Sequence, residues 1–111
     1  MKYKIRSRIW IEVDGQTFLG EGRVSLLKAI DHTGSLTKAA KSLGMSYKKA
    51  WSLIDVVNSR AKKPVITASI GGKGGGGTEL TSYGRCLIQS FETINENCWK
   101  FLDKEISKTN L

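Results

Sequence analysis

The apolar residues between positions 35 and 61 recur at spacings of three and four, which is the period of amphipathic helices. They form two stripes, the first being Leu36, Ala39, Ala40 and Leu43, and the second Ala50, Leu53, Ile54, Val57 and Ala61. Ser35 and Ser46 precede these stripes, where a hydroxyl can accept a hydrogen bond from an orphan backbone N–H, and Gly44 stands where a helix ends. We therefore predict helices over about 36–43 and 46–62, joined by a short turn.

The rest of the chain predicts two β-hairpins and two more helices. Residues 3–13 alternate between polar and apolar positions, and after the turn dipeptide Asp14-Gly15 the chain can return, which gives a hairpin over 3–19. A helix is expected over about 22–33, ending at Gly34. The β-branched run after Pro64, the glycine-rich segment and Glu79-Leu80 predict a second hairpin over 65–80. The predicted fold class is mainly α with small β-hairpins.

The last predicted helix, over 82–107, carries a heptad-like apolar seam with intervals of four and three. Such a helix would be about 39 Å long, which is more than a domain of 111 residues needs to cover itself. We therefore predict a dimer, with burial inside one monomer as the alternative. The predicted interface consists of Leu87, Phe91, Ile94, Cys98, Phe101 and Leu102.

Positive charge is concentrated on the central helices and the segment that follows them. The net charge is +8, and residues 37–73 hold eight lysine and arginine residues against a single acid, Asp55. A solvated surface is the ordinary explanation of clustered lysines. Their concentration on a short helix, a glycine turn and a longer helix instead favours a polyanionic partner, because neutralised phosphates release counterions. That pattern is typical of a DNA-binding helix-turn-helix.

The candidate DNA-binding residues follow from this arrangement. We expect Tyr47, Lys48, Lys49 and Ser52 to enter the major groove, with Ser46 capping the helix at its edge. The residues expected to hold phosphates are Ser35, Thr37, Lys38 and Lys73. Trp51 is expected to pack between helices and not to stack on bases.

The sequence lacks the residue patterns that metal binding, catalysis or nucleotide binding would require. His32 is the single histidine and has no neighbouring Cys or acid at metal-ligand spacing, so neither a metal site nor a catalytic triad is expected. In the glycine run Lys73 is followed by Gly74, whereas a P-loop needs a hydroxyl residue there. We expect no enzymatic activity and no cofactor. No apolar run is long enough for a membrane helix and no signal peptide is visible, so a cytoplasmic, nucleoid-associated protein is expected.

Two motifs identify a resemblance. The run GSLTKAAKSLGMSYKKAWSLID, followed by GGKGGGGTELTSYGRCLI, closely resembles the amino-terminal DNA-binding domain of ModE-type molybdate-responsive regulators, over roughly residues 18–106. That domain is a LysR-like winged helix-turn-helix. The resemblance implies a dimer in which residues 46–49 begin the recognition helix, Lys73 and its glycines form the wing, and the last helix pairs the subunits. Those regulators carry further oxyanion-binding domains, so we expect no molybdate binding by this chain, which ends at Leu111.

The leading hypothesis is a homodimeric, sequence-specific transcription regulator that binds a palindromic operator in double-stranded DNA. The alternative is a protein-interaction module that dimerises with a full-length regulator and modulates it. A weaker third possibility is oxyanion binding by the glycine-rich hairpin.

Overall fold

The computed structural model describes residues 1–69 and 77–111, and within them the chain forms four helices and two antiparallel hairpins. The elements are β1 (Trp10–Val13), β2 (Gln16–Gly20), α1 (Glu21–Thr33), α2 (Leu36–Ser42), α3 (Tyr47–Arg60), β3 (Ile66–Ser69), β4 (Gly77–Leu80) and α4 (Ser82–Ser107). This order agrees with the order that the hydrophobic pattern predicts.

The first strand is much shorter than the predicted strand over 3–13. β1 begins at Trp10, which pairs with Gly20, and α1 starts at the next residue. Residues before Trp10 therefore have no strand opposite them to pair with. Their alternation is still visible, because Ile5, Ser7 and Ile9 are half-buried while the residues between them are exposed. The Oγ atom of Ser7 lies 3.7 Å from the Sγ atom of Cys98 on α4. The alternation thus reflects packing that includes a helix and not a longer sheet.

Helix α1 is at the centre of the core. Leu26, Leu27 and Ile30 are fully buried, and α1 contacts α2, α3 and α4 as well as both hairpins. Where α2 and α3 pack, the buried residues Ala39 and Ala50 are small, so the helices can approach closely. The three helices therefore share one core, and the outer faces of α2 and α3 remain in solvent.

Helix α3 ends two residues before the predicted boundary. Ala61 already has extended backbone angles, and Pro64 follows three residues later. Proline disfavours helical angles in the residue before it, Lys63, so the helix could not have continued past Lys62 in any case. Asn58, in the last turn of α3, then binds the start of the second hairpin. Its Oδ1 atom accepts hydrogen bonds from the backbone N–H groups of Val65 (2.7 Å) and Ile66 (3.1 Å).

Candidate nucleic-acid interface

The connection between α2 and α3 presents the first turn of α3 to solvent. The hydroxyl of Ser35 accepts a hydrogen bond from Lys38 N (3.1 Å), and the hydroxyl of Ser46 accepts one from Lys49 N (3.1 Å). Gly44 lies between the helices with φ of +66°, a left-handed conformation that side chains rarely adopt. Both predicted caps are therefore observed, and they fix where each helix begins.

The predicted base-reading residues share one exposed surface at the start of α3. Tyr47, Lys48, Lys49 and Ser52 are all exposed, and the hydroxyl of Ser46 holds the first turn beside them. Buried Ala50, Ile54 and Val57 fix the opposite side of α3 to the core. Because that side is fixed, the exposed side chains belong to a rigid element and not to a loop. We name Tyr47, Lys48, Lys49, Trp51 and Ser52 the α3 surface.

The predicted phosphate-holding residues lie on the preceding helix and in the second hairpin. Thr37 and Lys38 are exposed in the first turn of α2, and Ser35 is half-buried at its cap. The Ser35 hydroxyl uses its oxygen as an acceptor within the protein, which leaves its proton for a donated hydrogen bond. Lys73 lies outside the described residues.

Within residues 1–69 and 77–111, no ion pair neutralises the lysines of α2 and of the start of α3. In the described ranges, the ion pairs join other residues, so Lys38, Lys41, Lys48 and Lys49 have no carboxylate within ion-pair distance. The one acid of the region, Asp55, is exposed further along α3. An uncompensated group of lysines on adjacent helices favours a polyanion at this surface.

The structure corrects the expectation for Trp51. The sequence pattern predicts that this side chain packs between helices, but 52% of its surface is exposed on α3. The core side of α3 is already filled by Ala50, just before Trp51, and by Ile54, three residues after it. Trp51 therefore points away from the core and lies four residues after Tyr47, on a neighbouring part of the same helix surface.

The second hairpin is held next to the first turn of α2. The N–H of Thr78 donates to Gly34 O (3.1 Å), just before the Ser35 cap. At the other end of the hairpin, Thr81 Oγ1 donates to Pro64 O (2.7 Å) and accepts from Gly84 N (2.9 Å), so one side chain joins the hairpin to the start of α4. The start of β4 therefore lies close to the start of α2.

The predicted dimer seam divides into two parts. Phe91 is 2% exposed inside the core, so little of its side chain is left to contact a second subunit. Leu87 is packed partly against the same core, and Cys98 and Leu102 are half-buried. Ile94 and Phe101 are 51% and 59% exposed. Seven residues separate these two, so they lie on one side of α4.

Two arginines were not singled out from the sequence, and they connect the first hairpin to the helices. Arg23 Nη1 on α1 donates to Thr17 O (2.7 Å), and Arg60 Nη1 on α3 donates to the same oxygen. Burial, with the neighbouring Arg60 charge as the second cause, lowers the pKa of the Arg23 guanidinium. Nothing local in the sequence indicates this arrangement, because Arg60 is far from Thr17 along the chain.

The described ranges contain neither a metal-binding cluster nor a membrane-spanning helix. No group of three or more His, Cys, Asp or Glu side chains there could hold a metal ion. No helix there has both the length and the apolar character needed to cross a membrane.

Comparison with known proteins relates the chain to the ModE and MopB proteins over most of its length. It is 36% identical over 104 residues to the molybdenum transport protein ModE of Azotobacter vinelandii, covering 94% of this chain and 38% of that protein. It is 42% identical over 93 residues to the molybdenum-pterin-binding protein MopB of Rhodobacter capsulatus, covering 84% of this chain and 34% of that protein. It is 38% identical over 93 residues to the DNA-binding transcriptional dual regulator ModE of Escherichia coli, covering 84% of this chain and 36% of that protein.

The chain therefore spans little more than a third of the length of these relatives. No protein-family model matches it.

Proposed function

We propose that the chain is a DNA-binding module of a transcription regulator, built as a winged helix-turn-helix. The observation that carries this proposal is the α3 surface, where uncompensated lysines and hydroxyl groups are exposed on a helix fixed to the core. The element order and the name of the Escherichia coli relative support it. In this proposal α2 and α3 form the helix-turn-helix, and the β3–β4 hairpin is the wing.

The α3 surface fits the major groove in size and chemistry. The groove is about 12 Å wide, and an α-helix with its side chains is about 10–12 Å across. Tyr47, Lys48, Lys49 and Ser52 would lie against base edges, since the start of a recognition helix makes such contacts. Ser35, Thr37 and Lys38 would hold the phosphate backbone beside it, joined by Lys73 from the wing.

The proposed active form is a homodimer on a palindromic site. Exposed Ile94 and Phe101 on α4 offer an apolar surface for a second copy. A two-fold dimer would place its recognition helices on half-sites about 34 Å apart or a multiple of that distance. Each subunit would then bind one copy of the same half-site sequence, and the two equivalent sets of contacts would provide the sequence specificity.

The first test replaces the two lysines of α3. Lys48→Ala and Lys49→Ala should each weaken binding by about 1–3 kcal/mol if the lysine contacts a base edge. If both also neutralise phosphates, the double variant should lower the slope of log affinity against log salt by about two. The measurement is a salt titration of binding to random duplexes and to duplexes obtained by in vitro selection.

The matched control is Lys100→Ala with Lys104→Ala, which removes the same charge from the exposed surface of α4. This control should bind the selected duplex almost as well as the wild type. Equal affinity of the wild type for random and selected duplexes would exclude specific reading. Unchanged affinity in the α3 variants would remove the proposed recognition surface.

The second candidate is a protein-interaction module, favoured by the exposed apolar side chains of α4. Ile94, Trp99 and Phe101 are each about half exposed, and they could pair with the same helix of a longer regulator. Such a module has no need for the lysines of α3. If the isolated chain retards no DNA at low salt, this second function replaces the first.

A further inference from the structure

Trp51 is a half-exposed aromatic residue that does not belong to the core of the described residues. It is 52% exposed, and within the described ranges its indole N–H donates no hydrogen bond, whereas Trp10 Nε1 donates to Glu12 (2.9 Å). Tyr47, four residues earlier, is 55% exposed. Two large aromatic side chains thus stand next to each other on α3 without contributing to the core.

The neighbours of this pair indicate what covers it. Lys48 and Ser52 adjoin it on the helix, and these lysines lack ion-pair partners in the described part of the chain. A protein partner would have to bury these cations beside the aromatic rings or supply acids for them. A DNA duplex supplies phosphates for the cations and apolar groups for the rings, so charge complementarity favours DNA as the occupant.

We propose that Trp51, together with Tyr47, determines sequence specificity by contacting thymine methyl groups in the major groove. This inference rests on the proposed function. The C5-methyl of thymine is the one apolar group that an A·T or G·C pair exposes at the major-groove edge, and apolar side chains distinguish thymine by touching it. The lysines and Ser52 would read donors and acceptors, and the aromatic pair would read methyl groups.

The spacing of the two rings agrees with this assignment. Residues four apart on a helix are separated by about 6 Å along its axis, and successive bases on one strand rise about 3.4 Å. Tyr47 and Trp51 therefore span at most about two base-pair steps, a limit reached when α3 runs parallel to the DNA axis. The half-site should contain thymines, on either strand, within about two steps of one another.

Uracil substitution tests the proposal, because uracil differs from thymine only by lacking this methyl group. Thymines of the selected half-site are replaced one at a time by uracil, and the affinities of the wild type and of Trp51→Ala are measured. A buried methyl group corresponds to about a fourfold change in affinity. The wild type should lose about that factor at one or two positions per half-site. Trp51→Ala should bind the thymine and uracil duplexes equally at the position Trp51 contacts.

The controls separate this inference from a general loss of binding. Trp51→Phe should keep part of the thymine preference. Trp10→Ala, which removes another half-exposed tryptophan but from β1, should keep all of it. Because Trp51 lies outside the core and carries no charge, Trp51→Ala should keep the circular dichroism spectrum of the wild type and its slope of log affinity against log salt, while its affinity for the thymine duplex falls.

Each other outcome overturns the proposal. A wild-type protein that is insensitive to uracil at every position, a selected site without thymine, or equal uracil sensitivity in Trp51→Ala would exclude methyl reading while DNA binding stands. Failure of the wild type to bind any duplex would instead overturn the proposed function and this inference with it.

Discussion

At the scale of single residues, Gly84 shows how tightly the second hairpin packs on α4. A Cβ atom added there would lie 2.7 Å from Val65 O and 2.7 Å from Leu80 Cδ1. Real Cβ atoms do not approach backbone oxygen that closely, so the backbone would have to move. Glycine is therefore required here for space, although it lowers the helix propensity of the first turn of α4.

Gly84→Ala should destabilise the protein by about 1–3 kcal/mol, the usual cost of overpacking a core. The measurement is equilibrium unfolding in urea. Gly22→Ala in α1 is the matched control, because a Cβ there meets nothing within 4 Å. That variant should be neutral or slightly more stable, since alanine has the better helix propensity. Equal stability of the two variants would contradict the described packing of the hairpin on α4.

At the scale of elements, the junction between α3 and the second hairpin depends on one side chain. Asn58 accepts from Val65 N and Ile66 N, and its Nδ2 atom donates to Ile66 O (3.2 Å). Val65 and Ile66 are buried, so water does not readily replace these hydrogen bonds. The amide of Asn58 thereby sets where β3 starts relative to the end of α3.

Asn58→Ala should lower the free energy of unfolding by about 2–3 kcal/mol, because buried backbone groups would lose their partners. If the proposed wing contacts DNA, affinity should also fall while the α3 surface remains intact. Ser59→Ala is the control, since Ser59 is exposed and, among the described residues, its hydroxyl donates to Val56 O alone. This control should stay within about 0.5 kcal/mol of the wild type. A stable Asn58→Ala variant would show that the junction has other support.

The elements that follow from local signals could be predicted from the sequence. The caps Ser35 and Ser46 bind groups three residues away, so their roles follow from sequence spacing alone. Strand pairing involves distant residues, and the stretch before Trp10 alternates without having a partner strand.

Whether an aromatic side chain faces the core or the solvent also depends on tertiary packing. Phe91 faces the monomer core and Trp51 faces solvent, although both lie in apolar or amphipathic helix patterns. Helical periodicity predicts that a stripe exists, but not which neighbouring element covers each part of it. The exposure of the polar residues of the candidate site could therefore be predicted, because it follows from the apolar stripe on the other side of α3. The exposure of Trp51 could not.

At the scale of the whole molecule, the elongated form reflects α4. The molecule measures 61 × 30 × 22 Å, and α4 contains 26 residues. Its first half packs on the core through Ile88 and Phe91. Further along, Ile94, Trp99 and Phe101 are about half exposed. Of these, Ile94 and Phe101 are seven residues apart and lie on one side of the helix, and such an exposed apolar pair is typical of an interaction surface.

Ile94→Glu combined with Phe101→Glu should convert the proposed dimer into a monomer, because burying two carboxylates in an apolar interface carries a large desolvation penalty. Analytical ultracentrifugation should show the mass of two chains for the wild type and of one chain for the variant. Gln89→Glu, at an exposed position on another side of α4, is the control and should remain dimeric.

On DNA the monomeric variant should bind a single half-site as the wild type does. It should lose about 100-fold or more on the full palindrome, since the second half-site would no longer be bound intramolecularly. If the variant remained dimeric, Ile94 and Phe101 would not belong to the dimer interface. If the wild type were monomeric at every concentration, the proposed two-fold dimer would be excluded.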